Sequence, residues 1–97
     1  MKKLTLGEIY LASEAPVTTQ FNTQCQLGDD FEQWDMIIVP QLTSNILLKD
    51  KPTVFISGSI RFIAKEAPHD RLKPGTKFQL FKDFNPIGNG VIIASCG

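Results

Sequence analysis

Apolar and polar side chains alternate with a period of two along most of this chain, and that pattern sets the expected fold. The longest instance spans Thr53–Lys65. Val54, Ile56, Gly58, Ile60, Phe62 and Ala64 fall on one face, and Phe55, Ser57, Ser59, Arg61, Ile63 and Lys65 on the other. This is the signature of a strand with one buried side. Gly58 in its middle predicts a bulge or a sharp bend. Phe21, Thr23, Cys25 and Leu27 alternate with Asn22, Gln24 and Gln26 until Gly28-Asp29-Asp30 ends the run. Leu4–Ala12 sets Ile9 and Leu11 opposite Glu8 and Tyr10. Asp35–Val39 is short and apolar, as expected of a strand covered on both faces and stopped by Pro40.

The second half continues in the same manner. Asn45–Lys49 is a brief apolar segment. Thr43–Leu48 could form one helical turn between Pro40 and Pro52, and Asp50-Lys51-Pro52 reads as a turn. Pro74-Gly75 suits a tight turn, after which Phe78 and Leu80 alternate with Lys77 and Gln79. Asn85-Pro86 and Gly88-Asn89-Gly90 break the chain before a last strand at Val91-Ile92-Ile93. No segment has defensible helical periodicity. The expected fold is all-β: a small closed antiparallel β-barrel of about six strands, one domain over residues 1–97, with no internal repeat.

Composition adds limits. Hydrophobic content of 42 % and charged content of 21 % are those of an ordinary globular domain. No apolar run approaches the ~20 residues of a membrane-spanning helix. Thr5, Gly7 and Glu8 interrupt the segment after Met1-Lys2-Lys3, so no secretory core is expected and a cytoplasmic location is. In that compartment Cys25 and Cys96 are expected as free thiols, Cys25 as a small core residue. Ten bases balance ten acids, but unevenly. Residues 1–48 hold two bases against six acids, and residues 49–97 hold eight against four. Unless barrel closure interleaves the halves, such a dipole would steer a charged partner.

With the strands placed, the sequence resembles the C-terminal β-barrel of elongation factor Tu and its stand-alone relatives. The resemblance is carried by an R-L-x-P-G-x-x-F-x-L segment (Arg71, Leu72, Pro74, Gly75, Phe78, Leu80) and by a closing I-G-x-G-V-I (Ile87, Gly88, Gly90, Val91, Ile92). A weaker match covers residues 7–40 through GEIYLAS and WDMIIVP. The resemblance implies a barrel fold and a binding habit toward tRNA or partner domains. It does not imply GTP hydrolysis, because no G-x-x-x-x-G-K-[ST] loop is present. The Gly-Gly-Arg loop and Gly-Tyr-Arg-Pro segment of that family are also missing. Ser13–Gln20 stands in their place and contains no arginine.

Candidate chemistry is sparse. His69 lies between Pro68 and Asp70, but a nucleophile would have to come from elsewhere and no G-x-S-x-G elbow exists. His69 is therefore expected to be a loop residue with an ordinary hydrogen bond. Asp29, Asp30, Glu32 and Asp35 surround Trp34 without the spacing of a calcium loop. Their default reading is a solvated acidic loop, with Trp34 capping one end of the barrel. Arg61, Lys65, Arg71, Lys73 and Lys77 could form a basic stripe, with Phe55 and Phe81 as stacking surfaces for bases. A neutral total charge argues against strong non-specific RNA binding.

The expected function is non-catalytic binding, without metal, cofactor or nucleotide. Arg61, Lys65, Arg71 and Lys73 would contact a translation component (tRNA or factor) or another macromolecule. The alternative is a small protein-binding module of the immunity or inhibitor type, using Asp29, Asp30, Glu32 and Trp34 against a basic partner. The sequence does not identify the partner or the oligomeric state.

Overall fold

The computed structural model describes residues 4–13, 19–28 and 32–96. Six strands form: β1 (Leu4–Leu11), β2 (Phe21–Leu27), β3 (Trp34–Leu48), β4 (Lys51–Phe62), β5 (Lys77–Lys82) and β6 (Asn85–Cys96). A short 3-10 turn at His69–Arg71 interrupts the β4–β5 connection. The strands close into a barrel in the order β1-β4-β3-β2-β5-β6, every pair antiparallel. Closure places β4 between β1 and β3 and β5 beside β2, so the acidic and basic halves of the chain interleave. The charge asymmetry of the sequence is thereby divided around the barrel.

The interior is the one the alternation predicts. Ile9 and Leu11 (β1), Cys25 and Leu27 (β2), Met36 and Ile38 (β3), and Val54, Ile56, Ile60 and Phe62 (β4) are buried. Phe78 and Leu80 (β5) and Ile92 (β6) complete the strand contribution, while Ala67 and Leu72 enter from the β4–β5 connection. Cys25 is a free, fully buried thiol, and desolvation pushes its pKa up to about 12.

Two glycines are required by close approach. A Cβ on Gly58 would lie 2.2 Å from the Val39 carbonyl oxygen and 3.0 Å from Pro40 Cα. One on Gly90 would lie 2.5 Å from Cζ of Phe78, its cross-strand partner. The Phe78 ring thus covers the bare backbone of β6. The irregularity expected at Gly58 falls on the strand opposite it, where the β3–β4 register shifts between Pro40 and Leu42.

Several expectations are corrected. Pro40 does not stop its strand: β3 continues through it to Leu48. The Ile63 amide donates to the Asp35 carbonyl, so residues 35, 37 and 39 direct their backbone groups at β4. Pro40 therefore faces the other way, beyond the last β2–β3 pair at Phe21 and Ile38, and no partner misses its N–H. Nor is this segment covered on both faces, since Val39 is exposed and Ile37 half-buried. Residues 43–48 are strand rather than helical turn, and the hairpin turns at Lys49-Asp50 (φ 51° and 63°), before Pro52.

A further correction concerns the last two strands. Gly88-Asn89-Gly90 does not break the chain but lies inside β6, and the turn before it is Asp83-Phe84 (φ 51° and 68°) rather than Asn85-Pro86. Pro74-Gly75 turns as expected, with Gly75 at φ 93°.

Candidate macromolecule-binding end of the barrel

Antiparallel order brings one end of every strand together. At one end lie the exit of β2, the entry of β3, the exit of β4 and the entry of β5. The β2–β3 and β4–β5 connections are consequently neighbours, and Arg61, Lys65, Arg71 and Lys73 sit at this end with Glu32 and Trp34.

The basic group spans the exit of β4 and a pinned loop after it. Arg61 is exposed near the end of β4, opposite Ile37, and Lys65 lies beyond it in an exposed turn. Arg71 occupies the 3-10 turn and Lys73 the segment after it, both exposed. Between them, Ala67 and Leu72 point into the core at 6 % and 3 % exposure, which ties the loop to the barrel at two places. Its backbone is also internally bonded. The Arg71 amide donates to the Pro68 carbonyl (3.0 Å), and the Lys73 amide to Arg71 (2.9 Å). Thr76 Oγ1 donates to the Arg71 carbonyl (3.0 Å), and the Gly75 amide to Ile92 on β6 (2.7 Å). A loop backbone held this way has little ordering entropy left to lose on binding. Across residues 61–77 five bases stand against Glu66 and Asp70, so this segment is locally positive although the chain is neutral.

His69 serves the loop itself. Its Nε2–H donates to the Ala64 carbonyl at 2.7 Å, and its ring meets Phe62 edge-on at 5.8 Å between centroids. The hydrogen bond fixes the tautomer, leaving Nδ1 as the acceptor. This is the ordinary loop role expected of it.

The proposed stacking rings do not join the basic group. Phe55 is half-buried against Tyr10 at 5.3 Å, six residues and roughly 20 Å along β4 from Arg61. Phe81 is half-buried on the outer wall, beside a surface hollow of about 230 Å³ between β2 and the β5–β6 turn. In that hollow Gln24 Oε1 is buried without a hydrogen-bond partner.

Of the acidic group, Asp29 and Asp30 lie outside the described residues. Glu32 is exposed, and Trp34 is half-buried and packed against the core opposite Cys25, as a cap on this end would be. Among the described residues, no three or more His, Cys, Asp or Glu side chains gather as metal ligands would. No described helix is long and apolar enough to cross a membrane.

The sequence pattern located the bases but not their anchors. Ala67 and Leu72 stand alone in a loop, outside any periodicity. Only the R-L-x-P-G match marked Leu72. Comparison with known proteins gives no match: no family model fits the chain, and no curated protein or solved structure is significantly similar to it.

Proposed function

We propose that this chain is a non-catalytic binding barrel, kin to the C-terminal barrel of elongation factor Tu, that holds a macromolecule through the bases at the exit of β4 and on the loop after it. Arg61, Lys65, Arg71 and Lys73 carry the contact. The observation behind this reading is their common placement at the exit of β4 and on the loop after it, which two buried side chains and a set of backbone hydrogen bonds hold in one shape. A closed six-stranded barrel agrees with the kinship, and the kinship makes tRNA the first partner to test.

Gel retardation of tRNA at ~50 mM salt is the direct assay, because phosphate binding releases counterions and weakens steeply as salt rises. Retardation is expected, with a log–log salt slope that falls by about 0.7–0.9 for each basic residue reversed among Arg61→Glu, Lys65→Glu and Lys73→Glu. Absence of retardation at that salt defeats the reading. A protein partner captured from lysate and lost on Trp34→Ala, Asp29→Lys or Asp30→Lys would replace it with the acidic-loop alternative.

A further inference from the structure

At the opposite end of the barrel, the hairpin of β3 and β4 extends beyond its neighbours. β2 pairs with β3 only as far as Ile38, and β1 pairs with β4 only from Val54 onward. Past Ile38, β3 bonds only to β4, so its other edge has no strand partner among the described residues from Val39 to Leu48. Leu42, Leu47 and Leu48 are exposed there at 59 %, 72 % and 46 %. An open edge is a template for another strand, and proteins ordinarily blunt one with charge, proline or a bulge. Here Pro40 and the bulge before Leu42 blunt only its beginning, and Leu42–Leu48 (LTSNILL) carries neither charge nor proline.

The backbone of this edge matches itself. Lys49-Asp50 is a two-residue turn, so Leu48 and Lys51 form its closing hydrogen-bonded pair. Backbone groups alternate in direction along a strand. Those of Leu48, Ile46, Ser44 and Leu42 therefore face β4, while those of Leu47, Asn45 and Thr43 face outward. An antiparallel copy centred on Asn45 would pair Asn45 with Asn45, and Thr43 with Leu47, through these outward groups. The same register sets Leu42 opposite Leu48 in the closer, non-hydrogen-bonded position. The exposed leucines at 42 and 48 are equidistant from Asn45, and the tip charges Lys49 and Asp50 would lie opposite Gln41 and Pro40, where no charge opposes them.

We propose that a second copy of this chain occupies the open edge of β3. The two strands pair antiparallel about a two-fold axis at Asn45, joining two barrels through one continuous β4-β3-β3-β4 sheet. Such a contact is isologous and closes on itself, so it gives dimers and not fibres. It is a small contact, and a dissociation constant between about 1 μM and 1 mM is expected.

Sedimentation equilibrium from ~10 μM to ~1 mM tests this, with a monomer–dimer equilibrium expected in that range. Asn45→Pro removes an N–H that points away from β4, so no β3–β4 bond is lost. It should weaken dimerisation by about tenfold or more at unchanged circular dichroism. The register is tested independently at exposed positions. Leu42→Lys with Leu48→Lys should abolish the dimer, and Leu42→Lys with Leu48→Glu should restore it, because position 42 of one copy meets position 48 of the other. A chain that stays monomeric at ~1 mM overturns the proposal. So does a dimer that Asn45→Pro and the double-lysine variant both leave intact, or an edge that pairs only with an extended peptide of another protein.

Discussion

Gly58→Ala isolates the closest backbone contact in the barrel. The added methyl would sit 2.2 Å from the Val39 carbonyl oxygen and 3.0 Å from Pro40 Cα, and both are main-chain atoms that no rotamer can move aside. Ordinary carbon–oxygen contacts across strands are about 3.3–3.6 Å, so β3 and β4 would have to part locally by about 1 Å. They would do so beside the bulge, within the longest ladder of the fold. Overpacking of this kind costs about 1–3 kcal/mol, and the rigidity of the obstacle favours the upper end. Alanine recovers roughly 0.5–1 kcal/mol over glycine in a strand, which leaves a net loss of about 2 kcal/mol. For a domain of this size that lowers Tm by roughly 8–16 °C. Thermal melts followed by circular dichroism, paired with urea titrations, measure both quantities. Gly75→Ala is the internal comparison: its Cβ would meet nothing within 4 Å, and only the φ of 93° opposes it, at a cost of about 1–2 kcal/mol. If Gly58→Ala melts within about 2 °C of the unsubstituted chain, the clash argument is wrong.

Cys25 gives the barrel an alkaline weakness. The unfolded thiol loses its proton above its ordinary value of 9.0, whereas the buried one keeps it until about 12. Stability is therefore at its full value below pH 9 and falls as pH rises from 9 toward 12, by a total on the order of 4 kcal/mol. Urea titrations across that range should show the loss, and Cys25→Val should remove this part of it. Phe84 holds φ 68° in a two-residue turn with its ring 83 % exposed. Phe84→Gly supplies the residue such a turn prefers and should stabilise the fold by about 1 kcal/mol, seen as a higher urea midpoint. Leu72→Ala removes a buried anchor of the basic loop and should cost about 2–4 kcal/mol. Amide exchange should quicken first over residues 66–76.

What could be read from the sequence divides along physical lines. Where one strand face is buried, the side-chain period fixes both element and orientation, and so Ile9, Cys25, Ile56, Phe62 and Leu80 lie inside as the alternation implies. Pro40, Pro52 and Gly88 misled because their usual breaking effect depends on direction, which the sequence does not show. Pro40 turns its missing donor away from β4, to a side β2 does not reach. Pro52 pairs with Leu47 before β1 begins to pair with β4. Gly88 and Gly90 sit where β6 presses on β1 and on Phe78, a contact between segments distant in sequence. The distal hairpin escaped notice because Thr43–Leu48 buries neither face fully, so no period marks it. At that end of the barrel the charged residues were visible, but bringing Arg61, Lys65, Arg71 and Lys73 beside Glu32 and Trp34 required the strand order.

The strand order has a kinetic consequence. β6 is hydrogen-bonded to both β5 and β1, so the earliest described strand and the latest one meet at a seam. On a translating ribosome β1 would wait until β6 is made before gaining its second neighbour, and only the pairings of consecutive strands, β2–β3, β3–β4 and β5–β6, could form early. Assembly dominated by such distant pairings is slow, in the range of milliseconds to seconds. During that interval the rims of β1 and β5 are open to capture by any nascent strand that reaches them first.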